Sequence, residues 1–312
     1  MKPSRYPSFL RTLTCLGVGA FAATQLAAAT NSKNPTSKFF VSDLTGESQV
    51  NIGDKILPLE KKSVFSAQGT IIETKAKANN SLVYSNGTGI YLDESTRLEL
   101  KRFAQEPFTP NRVDLDTEPS ISQTQAFVAH GVVGLCTSKM VAGSSMTYQT
   151  PLASVNIRGK RIVIDSGEDI TKISMIEGDC TVRGGDLDMG GHQLHDGEQA
   201  IIRRGRPGQG NSVEIIKIPK AERADLEEKS SFACMARQTV YFEVRDRSGN
   251  ATAGGSAFDG GEGDRTAPLA STPGNVTGNA TAPNLPTRLE IVPVEIVPGN
   301  LPVDFTVSPS RL

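Results

Sequence analysis

Short apolar stretches separated by glycine, asparagine and aspartate run through residues 39–206. In residues 153–158 apolar and polar side chains alternate strictly, and a second apolar run, 161–165, follows the turn at Gly159. Strict alternation is the signature of a strand with one buried face. The pattern predicts two half-buried strands joined as a β-hairpin.

A second hairpin is predicted around Asn86-Gly87, between the apolar runs 81–84 and 89–92, because Asn-Gly tolerates the positive φ angles of a type I′ turn. Leu98 and Leu100 alternate with charged residues and predict a further strand. Further turns are expected at 165–168, 177–179 and 196–198. Short strands at this spacing predict an all-β fold, a sandwich- or solenoid-like stack of antiparallel strands and hairpins.

The composition changes after Pro219, where helix formers predict one helix between Lys220 and Gln238. The run 240–244 predicts a strand that closes the domain edge.

Residues 249–286 are rich in Gly, Asn, Thr, Ala and Pro and predict a disordered tail. The motif Leu-Glu-Ile-Val-Pro at 289–293 is nearly repeated at 294–298. Such a segment can add to a sheet edge here or on a partner, but we favour an ordinary extended terminus.

The N-terminal segment has the order of a secretory signal peptide: a charged start, an apolar run, then small residues at Ala27 and Ala29. The apolar run falls short of the roughly 20 residues that a membrane span needs. We therefore expect cleavage after Ala29 and a periplasmic or secreted chain with no membrane span. The predicted organisation is signal peptide 1–29, polar lead-in 30–38, β domain 39–218, helix and edge strand 219–247, and tail 248–312.

The formal net charge of -1 over 312 residues gives no reason to expect nucleic-acid binding, which relies on many cationic contacts to phosphates. Cys136, Cys180 and Cys234 remain after cleavage. An oxidising compartment is compatible with one disulfide and a free thiol. Cys180 and Val182 occupy alternate positions, as the buried residues of a strand do. We therefore expect the cysteines to pack as small apolar side chains without a structural disulfide.

A set of landmark residues occurs in a fixed order along residues 39–206: Asn86, Gly87, Thr150, Pro151, Ala153, Val155, Gly159, Glu177, Gly178, Gly197 and Gln199. We interpret them as fold determinants, since glycines set turns and Pro151 can begin a strand where no backbone N–H is needed. This order resembles the FecR domain, an exported regulatory domain of cell-surface signalling systems that respond to iron chelates in Gram-negative bacteria. The resemblance implies a β fold, a protein partner in the cell envelope and no cofactor.

Two departures from the family pattern limit what the resemblance implies. Gly159 is followed by Lys160 where the family often has threonine. The N-terminal segment is also interpreted as a cleaved signal, whereas signalling members carry a cytoplasmic helical region and a membrane helix. Contact with a cytoplasmic sigma factor is therefore not implied for this chain.

The best metal-like cluster is Asp186, Asp188, His192 and His195. Residues three apart in a strand face opposite sides of the sheet, so His192 and His195 converge only if the region bends. We therefore predict a polar turn and no metal site.

Catalytic signatures are also weak. His130 and Cys136 lack a nucleophile motif, and Asp114, Asp116 and Glu118 are expected to be solvated. The chain is thus predicted not to be an enzyme. Two functional hypotheses remain: a regulatory module that binds proteins in envelope signalling, and an exported structural or cell-surface β protein with no signalling role. The oligomeric state stays open.

Overall fold

The computed structural model describes residues 37–108, 116–185, 187–206, 208–246 and 289–296. This part of the chain is mostly β-strand and contains one helix, α1 (Lys220–Arg237). The strands are β1 (Lys38–Thr45), β2 (Ser48–Ile52), β3 (Lys55–Pro58), β4 (Val64–Ser66), β5 (Thr70–Thr74), β6 (Asn79–Tyr84), β7 (Gly89–Leu92), β8 (Arg97–Gln105), β9 (Ser122–Cys136), β10 (Ser145–Gln149), β11 (Ser154–Ile157), β12 (Arg161–Ser166), β13 (Ile170–Glu177), β14 (Cys180–Arg183), β15 (His192–Leu194), β16 (Glu198–Arg203), β17 (Ser212–Lys217), β18 (Val240–Asp246) and β19 (Leu289–Glu295).

The first 17 strands form two stacked layers. Sheet A has the order β4-β1-β6-β7-β9-β12-β13-β16-β17. Sheet B has the order β3-β2-β5-β8-β9-β10-β11-β14-β15. The long strand β9 belongs to both layers and changes layer next to Gly131, whose φ is 92°. The predicted stack of short, mainly antiparallel strands is confirmed.

The main core lies between the layers and consists of aliphatic side chains with a few aromatic rings. Ile162 and Ile164 point inward from sheet A, and Val155 and Val182 point inward from sheet B. In β11 the alternation read from the sequence marks one buried face, as predicted. The prediction that β12 is half-buried is wrong, because Val163 on its outer face is buried as well and packs with Leu226 of α1. The outer face of sheet B is polar and open to solvent, as is common for antiparallel sheets.

The predicted hairpin across Gly159 is wrong. β11 pairs with β10 and β14 in sheet B, whereas β12 pairs with β9 and β13 in sheet A. The chain thus crosses between layers at Gly159, and it crosses back at Gly178 after β13. A Cβ on Gly159 would lie 2.6 Å from the Cα of Gly178, so the two crossings stack tightly. Two predicted strands joined by a glycine turn give the same sequence pattern whether they pair within one sheet or lie in opposite sheets.

The hairpin at Asn86-Gly87 is confirmed, because β6 and β7 pair antiparallel. The expected type I′ turn is wrong: Gly87 has a φ of 84°, but Asn86 is not in the left-handed region. The side chain of Asn86 is buried instead, and its Oδ1 accepts a hydrogen bond of 3.1 Å from the N–H of Thr88. Leu98 and Leu100 lie buried in β8, as predicted.

The predicted helix is confirmed as α1, which packs on the outer face of sheet A. It lies directly over the backbone of β7 and β9 because these strands carry glycine at the contact. A Cβ on Gly89 would lie 1.9 Å from the carbonyl oxygen of Ala233, and one on Gly134 would lie 2.8 Å from that of Lys229. The described residues include no helix that is both long and apolar enough to cross a membrane.

Strand β18 does not extend either layer, contrary to prediction. It pairs antiparallel with β19, from Val240 opposite Glu295 to Asp246 opposite Leu289. Val240, Phe242 and Ile291 pack this ribbon against the outer side of sheet A. Residues 289–295 are thus in an added strand, not in an ordinary terminus. The predicted signal peptide and the tail segment 249–286 lie outside the described residues.

Candidate functional site

A disulfide joins Cys136, the last residue of β9, to Cys234 on α1, with 5.0 Å between their Cα atoms. The expectation of no structural disulfide is therefore wrong. Cys136 points to the outer face of sheet A, where α1 lies. The spacing of the cysteines in the sequence does not reveal that the helix packs on this strand. Cys180 is buried and free, as expected. Burial raises the pKa of its thiol to about 12, which keeps it protonated.

Arg161 provides a second connection between α1 and sheet A. Its Nη2 donates to the backbone carbonyl of Glu227 at 3.1 Å and to Oγ of Ser231 at 3.1 Å, and its Nε donates to Oγ of Ser230 at 3.2 Å. The side chain thus holds the middle of the helix against β12. Arg161 lies opposite Cys136 in the pairing of β12 with β9, so the disulfide and these hydrogen bonds attach α1 to neighbouring positions of sheet A.

A cleft of about 250 Å³ lies between the N-terminal half of α1 and strands β12, β13 and β16. Its wall is a network of paired charges. Lys172 Nζ lies 3.0 Å from Glu222, and Gln199 Nε2 donates to the other oxygen of Glu222 at 3.1 Å. The hydrogen bond from Gln199 and the contact with Lys172 both lower the pKa of Glu222.

The deeper end of the cleft is closed by Lys229, which lies 2.8 Å from Asp225 and 3.1 Å from Asp93. Burial alone would lower the pKa of Lys229, but the hydrogen bonds that its ammonium group donates to these two carboxylates outweigh burial and raise the pKa. Desolvation raises the pKa of Asp165 at the cleft wall, and Lys172 and Lys229 oppose that effect. The charges therefore serve mainly to attach α1 to the sheet.

Glu118 is buried, so the prediction that it is solvated is wrong. Its carboxylate accepts hydrogen bonds from Nδ2 of Asn86 at 3.2 Å, from Oγ of Ser122 and from the N–H of Val141 at 3.3 Å. The neighbouring Asp116 side chain is exposed as expected, and Asp114 lies outside the described residues. Glu118 therefore fixes the β6–β7 turn. Its partner Asn86 is distant in the sequence, so no local sequence pattern predicts this contact.

The remaining landmark residues occupy turns and interlayer contacts. Thr150 Oγ1 accepts from the N–H of Ala153 at 3.0 Å and lies 3.2 Å from Oγ1 of Thr171 in the other layer. Pro151 lies in the turn before β11 instead of starting the strand. Glu177 forms an exposed ion pair of 3.0 Å with Lys160. Other landmarks are Val155 in the core, Gly178 with a φ of 107° and Gly197 with a φ of 73°.

Of the described metal candidates, Asp188 lies in the connection between β14 and β15, His192 begins β15 and His195 follows it. Asp188 accepts hydrogen bonds from the N–H groups of Gly184 and Gly191, at 2.9 and 3.0 Å, and forms a 3.3 Å contact with His192. His195 is exposed after β15, and Asp186 lies outside the described residues. Within the described ranges no three His, Cys, Asp or Glu side chains group as metal ligands. Asp188 instead shapes the loop backbone.

Both ends of the two-layer stack carry exposed apolar side chains. At one end, Ile56 of β3 is 63% exposed. At the other end, Leu187 and Met189 in the β14–β15 loop are 70% and 85% exposed, and Ile215 of β17 is 40% exposed. Exposed apolar residues that cluster at an unpaired sheet edge are typical of protein-binding surfaces. The edge strand β17 and the described loop residues 184–185 and 187–190 are together called the β17 end below.

Comparisons with known proteins give limited matches. No family model matches the chain, and no curated protein matches it. Two crystal structures of a candidate anti-sigma factor from Parabacteroides distasonis, at 2.50 and 1.65 Å resolution, are similar over 49% of this chain. They share 13% identity with it, with TM-scores of 0.36 and 0.35. The chain spans 62% of the length of those proteins.

Proposed function

We propose that this chain is an exported, non-catalytic FecR-like module that acts by binding another protein of the cell envelope. The observation that carries the proposal is the β17 end, where the edge strand β17 has one open side and Leu187, Met189 and Ile215 are exposed. Strand addition at such an edge supplies main-chain hydrogen bonds for affinity and side-chain contacts for specificity.

The chemistry of the described residues supports a binding role over a catalytic one. Cys136 is in a disulfide and has no thiol that could act as a nucleophile. The cleft charges Lys172, Glu222 and Lys229 are paired with one another or with Asp93 and Asp225 across the helix–sheet contact. The FecR-like landmarks set turns and interlayer contacts. A disulfide is also typical of proteins outside the cytoplasm, which supports export.

A second function, an exported structural β protein, is favoured by the opposite end of the stack. Ile56 and Leu57 are exposed on β3, so the two ends of one molecule both present apolar strands. Head-to-tail contacts between unlike surfaces build open filaments when the rotation does not close. This alternative predicts assemblies that contain this chain alone.

The proposal is tested by isolating the tagged full-length chain from the envelope fraction of its own organism after chemical cross-linking. We expect a processed N-terminus at Thr30 and a second protein at a constant ratio to the chain. Homogeneous assemblies of the chain alone would favour the structural function. An intact Met1 on cytoplasmic material would contradict export.

A further inference from the structure

The four edge strands of the two layers differ in how they resist the addition of another strand. Edges that are very short, or that carry lysine and proline, add strands poorly. β4 and β15 each have only three residues. β3 carries Lys55 and Pro58 in a strand of four. β17 has six residues, Ser-Val-Glu-Ile-Ile-Lys, with no proline and with its lysine only at the last position, and is therefore the least protected of these edges.

The free backbone groups of β17 follow from its register with β16. Ile218 donates its N–H to the carbonyl of Gly197 at 2.9 Å. Residues two apart in an antiparallel strand direct their N–H and C=O groups to the same side. Glu214 and Ile216 therefore face β16, and Val213, Ile215 and Lys217 direct their backbone groups to the open side. No hydrogen bond to any other described residue occupies that side.

The apolar side chains of β17 extend beyond the cover of sheet B. Ile215 lies opposite Ala200, which faces the core, but the facing layer ends at β15, so Ile215 is 40% exposed. The β14–β15 loop continues this surface: a Cβ on Gly184 would lie 2.4 Å from Cγ2 of Val213. Leu187 and Met189 extend from the same loop into solvent. An added strand would find apolar neighbours on this side.

The charge on the other face of β17 restricts which strand fits. Glu214 lies at the centre of the strand, is exposed, and forms no ion pair with a described residue, whereas Lys217 is held by Glu198 at 3.0 Å. Because the backbone of Glu214 faces β16, the residue opposite it on an added antiparallel strand would be a non-hydrogen-bonded neighbour, whose side chain comes closest. Opposite charges in such a pair are favourable and like charges are not.

We propose that β17 accepts an extended segment of the partner protein as an added antiparallel strand, with apolar side chains at alternate positions and a basic residue opposite Glu214. This inference rests on the proposed function and names the partner segment at the same site.

The probe is the synthetic peptide Val-Thr-Val-Lys-Val-Thr-Val with blocked ends, added at millimolar concentration to the full-length chain. Residue-resolved amide hydrogen exchange is the measurement. We expect slower exchange at Val213, Ile215 and Lys217, and little change at Glu214 and Ile216, whose amides are already bonded to β16. The same peptide with glutamate in place of lysine should bind more weakly.

Two variants and a control sharpen the test. I215P removes an outward N–H and should weaken binding roughly tenfold or more, whereas I215V keeps the donor and should bind as the unmodified chain does. E214K should reverse the preference from the lysine peptide to the glutamate peptide.

Unchanged exchange at Val213, Ile215 and Lys217 with both peptides would overturn the inference. If the β17 amides are protected from exchange without peptide, and the protection rises with protein concentration, a second copy of this chain occupies the edge. That result would contradict the inference that the added strand comes from another protein. If an envelope partner is recovered and its cross-links lie outside the β17 end, the proposed function is supported. The inference that the partner adds a strand to β17 is then wrong.

Discussion

Cys136 and Cys234 form a disulfide that fastens α1 to the end of β9 across 98 residues of sequence. A cross-link stabilises a fold mainly by restricting the unfolded chain, and a loop of about 100 residues contributes about 4.7 kcal/mol in the chain-entropy model. We predict that replacing both cysteines by serine lowers the free energy of unfolding by about 3 to 5 kcal/mol, measured by urea denaturation. C180S is the control, because it changes a buried cysteine that is not in the disulfide. Its effect on the free energy of unfolding shows how much is lost through packing alone. An unchanged urea midpoint for the double variant would contradict the prediction.

The glycine contacts under α1 give a second prediction. A Cβ on Gly89 would lie 1.9 Å from the carbonyl oxygen of Ala233, so G89A must displace the helix. We expect a loss of about 2 to 3 kcal/mol in unfolding free energy, as for overpacked cores, with faster amide exchange in α1. At Gly190 a Cβ would meet nothing within 4 Å, so G190A is the matched control. Equal stability of the two variants would show that the helix does not lie on this strand.

The buried contact between Asn86 and Glu118 predicts a strong effect of a small change. N86A leaves the buried carboxylate without one of its donors, and we expect a loss of about 2 to 4 kcal/mol in thermal or urea unfolding. Asn156 is exposed on the outer face of sheet B, so N156A should change stability by less than about 0.5 kcal/mol. A neutral N86A would mean that the carboxylate is not buried as described.

Sequence patterns predicted the strands but not which layer each strand joins. Val155 and Ile162 both lie in runs that predict strands, yet the two strands belong to opposite layers because Gly159 allows a crossing as readily as a tight turn. The helix was predicted by composition, whereas its attachment through Cys234, Arg161 and Lys229 was not. These contacts join residues about 70 to 140 positions apart, and no local pattern encodes such pairings.

The charged cleft gives a pH-dependent prediction. The folded state lowers the pKa of Glu222 through the hydrogen bond from Gln199 and the contact with Lys172. Near pH 4 the folded chain therefore binds fewer protons at this site than the unfolded chain does, and stability rises with pH there. The contribution of Glu222 is present above its ordinary pKa of 4.5 and is lost as the pH falls through the lowered value.

A double-mutant cycle of E222Q and K172M isolates this contribution. The pair is partly open to solvent, so we expect a coupling energy of about 0.5 to 1 kcal/mol at pH 7. It should decline towards zero in acid. A coupling energy that stays constant between neutral pH and pH values below the lowered pKa would contradict the assignment.

The central proposal, that this chain is exported and works by binding another protein, is tested most directly by photo-cross-linking in living cells. A photoreactive amino acid is placed in turn at Ile215 on the β17 end, at Ile56 on β3 and at Thr147 on the polar face of sheet B. We predict a discrete cross-linked species from Ile215 that contains one other envelope protein, and none from Thr147. Cross-links only between copies of this chain, or no cross-link to another protein at any of the three positions, would contradict the proposal.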